Sequence, residues 1–152
     1  MGLLNYTTQI QSEKSIGEIQ AILGKAGVKA ILCEYDGLGG VSALTFRVPT
    51  AFGDMAFRLP ADPQPVLDVL NKQAMTSKIP RRYKGDIAQA RRVAWRIVKD
   101  WVEAQLALIE TRMAKVEQAF LPYAVDPSSN ETLYQKLQNS KFRGLALPEK
   151  TE

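Results

Sequence analysis

Histidine does not occur anywhere in this chain of 152 residues. Its absence removes imidazole general bases, Ser-His-Asp and Cys-His nucleophile systems, and every histidine-ligated metal site at once. Cysteine occurs once, at Cys33, so there is no disulfide framework and no thiolate cluster for zinc, and the chain suits a reducing compartment. No apolar run approaches the roughly 18 to 20 residues that cross a bilayer, and no charged start followed by an apolar signal core opens the chain. Met1-Gly2 begins like a myristoylation signal, but Tyr6 stands where that signal takes Ser or Thr. Enzymatic chemistry would therefore fall to carboxylates or lysines. No cofactor motif is present, no internal repeat is found, and no membrane contact is expected.

Proline and glycine are also missing from residues 86–116, and that gap marks the longest element. At 3.6 residues per turn it predicts one helix over 86–118. Trp95, Val98, Val102, Leu106, Ile109, Met113 and Val116 fall on one stripe, with Ala90, Ala94, Ile97, Trp101, Ala104 and Leu108 on the next. The apolar arc exceeds half the circumference, whereas a surface helix needs an arc of about 100° or slightly more, so two-sided cover is expected. Arg91, Gln105 and Arg112 interrupt it. They either reach solvent and neighbouring backbone or form a polar seam. With Trp95 and Trp101 they are the candidate interface or pocket residues. A two-fold homodimer packed through this helix or its flanks is the expected assembly, and cover by residues 120–137 of the same chain is the competing account.

With 45% hydrophobic and 24% charged residues, the composition fits one folded domain, and a net charge of +4 with a pI near 9.2 mildly favours anionic partners. Alternation of Leu4, Tyr6, Thr8 and Ile10 predicts a first strand. Ser15-Ile16-Gly17-Glu18 has capping-box spacing and predicts a helix start, with Gly27 at its end. Strands follow over 28–35, 41–48 and 54–59 as an antiparallel meander, in which Leu44, Phe46, Val48, Met55, Phe57 and Leu59 share the inner face. A short helix over 66–74, a mobile stretch over 75–83, the long helix, a loop at 126–130 and a last helix over 131–139 complete the order. The expected fold is two-layer α+β, with an antiparallel sheet of about four strands and the long helix packed on it. Residues 1–125 form the domain, and 126–152 form a partly helical segment with a mobile tail.

Gly37-Leu38-Gly39-Gly40 lies between strands and lacks a following Lys-Ser/Thr, so it is a hairpin turn and not a phosphate cradle. Glu34, Asp36 and Asp54 are the carboxylates that a metal-dependent phosphodiesterase would need. The basic run Lys72, Lys78, Arg81, Arg82, Lys84, Arg91, Arg92, Arg96 and Lys99, with Tyr83 and Trp95 in it, supplies phosphate-binding charge and stacking rings. Arginines in the first turns of a helix oppose its macrodipole unless an anion is near, and only Asp86 complements that end. Lys78, Arg81, Arg82, Lys84, Arg92 and Arg96 are therefore the candidate nucleic-acid contacts.

Residues 15–74 follow the helix, three strands, helix layout of a double-stranded RNA-binding domain, but the basic cluster that opens that family's second helix is replaced by Ala61-Asp62-Pro63-Gln64-Pro65, so no function is carried over. Glu18-Ile19-Gln20, Phe57-Arg58-Leu59-Pro60, Ala90-Arg91-Arg92-Val93-Ala94-Trp95-Arg96, Trp101-Val102-Glu103-Ala104-Gln105-Leu106-Ala107 and Phe120-Leu121-Pro122-Tyr123 make the chain similar to small bacteriophage and prophage proteins. That resemblance implies a phage setting in the cytoplasm of a bacterial host and supplies no site residues. The resulting expectation is a non-enzymatic binder of nucleic acid or a nucleotide. The alternative is a counter-defence inhibitor that captures a host protein or sequesters a nucleotide at an oligomer interface, and a metal-dependent phosphodiesterase ranks third.

Overall fold

Strand β2 (Val41–Thr50) is the centre of a three-stranded antiparallel meander, flanked by β1 (Ala30–Tyr35) and β3 (Gly53–Arg58), in a computed structural model that describes residues 1–149. Leu44, Phe46 and Val48 alternate inward from β2, and the register sets Phe46 opposite both Ile31 and Phe57. Period two thus brings the large side chains onto one face, which packs on helices α1 (Ser12–Lys25) and α3 (Ile87–Glu110). Ile16, Ile19 and Leu23 of α1 meet Trp95, Val98 and Val102 of α3 beneath the sheet. The architecture is the expected two-layer α+β arrangement with three strands. Among the described residues no helix is long and apolar enough to cross a membrane.

The expected first strand is absent. Residues 4–7 form turns, with Asn5 at φ 64°, Tyr6 N–H donating to Leu3 O and Thr8 N–H donating to Asn5 O. Backbone groups that a sheet would have used are taken by side chains instead. Gln73 Oε1 accepts from Leu3 N–H at 2.9 Å, and Gln89 Nε2 donates to Tyr6 O and Thr8 O at 2.8 and 2.9 Å. The N-terminus is a clip laid across α2 (Pro63–Met75) and α3.

Helix α1 begins three residues before the expected cap, so Ser15 lies inside it, fully buried, and its Oγ has no partner among the described residues. The capping-box spacing is real in the sequence, but the small Ser12 and Ser15 are needed on the buried face. Ser15→Ala is expected to raise stability by about 1 kcal/mol, because it removes an unsatisfied buried hydroxyl and favours the helix. A lower thermal midpoint in the variant would show that Ser15 makes a bond the structure does not record. Gly27, at φ 88°, closes α1 as expected, with Val28 N–H reaching back to Leu23 O.

Helix α3 ends at Glu110, before the expected boundary at 118. Arg112 adopts φ 65°, its N–H donates to Ile109 O, and Met113 N–H donates to Leu108 O, which is a Schellman termination with arginine at the position glycine usually holds. A short α4 (Val116–Ala119) and a 3-10 turn (Leu121–Tyr123) then bring Phe120, fully buried, against Phe46 and Phe57. Ala124 bridges to Phe57 at the outer edge of β3, Val125 pairs with Thr132, and α5 (Leu133–Asn139) starts from a capping box of Thr132 and Gln135.

Candidate nucleic-acid interface

The basic run divides when it folds. Arg96 Nη1 donates to Glu18 Oε2 at 2.6 Å, Lys99 lies between Glu18 and Glu103, and Arg91 stands 3.5 Å from Asp36. These cations tie α3 to α1 and to the glycine turn. Arg92 bonds Gln89 Oε1 through Nε and Nη2 at 2.9 and 2.7 Å, a neutral partner, and is in no ion pair among the described residues. By contrast Lys78, Arg81, Arg82 and Lys84 are exposed and take part in no ion pair among the described residues.

Their connection is packed, in contrast to the mobile stretch expected there. Ser77, at φ 62°, terminates α2 with Lys78 N–H donating to Gln73 O, and Ile79 is buried against Leu70, Ala74 and Ala90. The chain then forms a 3-10 turn, Arg81–Tyr83, and Gly85 N–H donates to Asn71 Oδ1 at 2.7 Å before Asp86 caps α3. Tyr83 meets Tyr6 of the clip edge to face at 5.4 Å, and the Arg82 guanidinium lies 4.9 Å over the Tyr83 ring. Ser77, Lys78, Ile79 and Arg81 border a shallow recess of about 400 Å³. The result is a fixed ridge of four cations able to contact phosphates, with the half-buried Tyr83 ring packed between Arg82 and Tyr6.

Trp95 is not part of it. At 1% exposure it lies in the main core, so it cannot stack on a base. Trp101 packs on Phe120 and Tyr123 at 5.4 and 5.2 Å, and Gln105 Nε2 donates to Ala119 O at 3.0 Å, so this side of α3 is covered by residues 119–123 of the same chain. Of the five candidate interface residues, Arg112 alone borders an open apolar groove.

The three carboxylates do not gather. Asp36 follows β1 opposite the start of β2, whereas Asp54 pairs with Pro49 near its other end, roughly 25 Å away at strand rise. Asp36 Oδ1 accepts from Leu38 and Gly40 N–H, and these bonds, with Arg91 beside it, hold its carboxyl below the usual range. Asp54 pairs with Lys29 and Arg47. Sequence reasoning missed Gln89, which joins clip to helix. Its signal is a polar side chain placed four residues before Val93 on the buried stripe. Comparison with protein-family models, with curated proteins and with solved structures finds no match.

Proposed function

We propose that this chain is a non-enzymatic, phage-related binding protein of the bacterial cytoplasm that holds nucleic-acid phosphates on the connection between α2 and α3. The observation that carries this reading is the set of four cations, Lys78, Arg81, Arg82 and Lys84, without an ion pair among the described residues, on a backbone fixed by Ile79, Gln73 and Asn71. A merely solvated loop would not need those anchors. Arg92 adds charge at the margin, while Arg96 serves the α1–α3 contact through Glu18. Few contacts, all to phosphate, imply weak binding without sequence preference.

Fluorescence anisotropy with short single-stranded and duplex oligonucleotides tests the proposal. Four phosphate contacts give a log–log salt dependence of about −2.8 on single strands and about −3.6 on duplex, and replacing the four residues by Ala abolishes binding at low salt. Arg96→Ala leaves the slope unchanged. No binding of the intact protein at low salt, or full binding by the fourfold variant, overturns the reading. The alternative, a protein that captures a host partner or nucleotide at an oligomer interface, is favoured by one separate feature: the apolar groove beside Arg112.

A further inference from the structure

The β2–β3 turn presents Phe52 to solvent at 83% exposure. The ring is not on a loose loop. Phe52 N–H donates to Thr50 Oγ1 at 3.0 Å, Thr50 Oγ1 donates to Gly53 O at 2.7 Å, and Gly53 takes φ 106°, a conformation that favours glycine. A large aromatic that stands in water on a turn whose backbone is fixed has the character of an anchor side chain.

Directly beside this turn, Thr50 and Ala51 form part of the wall of the groove, about 700 Å³, whose floor is Leu23, Val28, Val48, Leu106, Ile109 and Val116. An adjoining trough between α1 and α3 shares Ala26, Leu106 and Ile109 with it and continues the apolar surface. Lys25, Arg112 and Lys115 stand around these openings with Glu110 and Glu117, and none of the five is in an ion pair among the described residues. A border of both signs is poorly suited to a polyanion and matches a copy of itself, whose border offers a carboxylate for each kind of cation and a cation for each carboxylate.

We infer that the groove receives Phe52 of a second copy of this chain, exchanged reciprocally about a two-fold axis. Knob and hole lie side by side on one surface, since Thr50 and Ala51 line the groove next to the exposed Phe52, and that is the condition for a self-complementary contact. The site is independent of the basic ridge: the two lie toward opposite ends of α3, whose 24 residues span about 36 Å. Failure of nucleic-acid binding therefore leaves this inference standing, and the reverse also holds.

Sedimentation equilibrium of the full chain at tens of micromolar gives the test. The intact protein is expected at twice 16.9 kDa. Phe52→Asp, at a site exposed enough to leave the fold intact, is expected to weaken association by about 30-fold or more and to run as a monomer with an unchanged circular dichroism spectrum. Phe52→Leu retains the dimer, and Ile109→Glu in the groove loses it. An intact chain that sediments as a monomer, or a dimer that persists in Phe52→Asp, overturns the inference and leaves the groove to another partner.

Discussion

Phe120→Ala is expected to destabilise the protein by about 3 to 5 kcal/mol, a large fraction of the 5 to 15 kcal/mol typical of a single domain. Phe120 is fully buried and has ring contacts to Phe46 at 5.2 Å, Phe57 at 5.9 Å and Trp101 at 5.4 Å, so its removal opens a cavity between β2, β3 and α3. It also holds the start of the segment whose Val125 N–H donates to Ala56 O at 2.8 Å. Denaturant unfolding followed by tryptophan fluorescence reads both effects, because Trp101 loses its cover together with stability. A midpoint shift corresponding to less than about 1 kcal/mol would show that residues 119–125 do not belong to the core.

The second large effect is expected at Gln89, buried to 5% exposure. Its amide donates two bonds to the N-terminal clip and its oxygen accepts two from Arg92. Gln89→Glu keeps the shape and the Arg92 partner but cannot donate to Tyr6 O and Thr8 O, so two carbonyls lose their partner and face a carboxylate. A loss of about 2 to 3 kcal/mol follows. The clip detaches, and Tyr83 loses its contact with Tyr6. Native-state hydrogen exchange should show faster exchange over residues 1–11 and at 78–85 while β2 keeps its protection. Unchanged protection in the clip would show that Leu3 and Gln73 alone retain it.

The meander and α3 were legible because each obeys a single period: Leu44, Phe46 and Val48 at two, Trp95, Val98 and Val102 at about 3.6. What was not legible depends on partners far along the chain. Leu4, Tyr6, Thr8 and Ile10 alternate as a strand does, but Gln89 takes the carbonyls of Tyr6 and Thr8 and Gln73 the N–H of Leu3 beside them, some 70 to 80 residues away. Glu18 removes Arg96 from the basic run across 78 residues, so charge clustering in sequence overstated the free charge in the fold. The end of α3 lacks Gly or Pro, and Arg112 accepts a left-handed conformation that disfavours an L side chain by about 1 kcal/mol. Four of the six candidate nucleic-acid residues share one ridge. Among the candidate interface residues, Trp95, Trp101 and Gln105 are engaged within the chain.

The two borders of the sheet are unlike. β3 is covered on its outer side by Ala124 and Val125, whereas among the described residues β1 pairs with β2 alone. An uncovered strand border can recruit further strands and seed aggregation. Here β1 is only six residues long, Glu34 places a charge within it, and the register slips between Glu34 and Tyr35. Each of these features disfavours indefinite strand addition. Strand pairing at β1 is thereby discouraged, and a contact of the kind proposed for the Phe52 turn, which closes after one copy, would not compete with it.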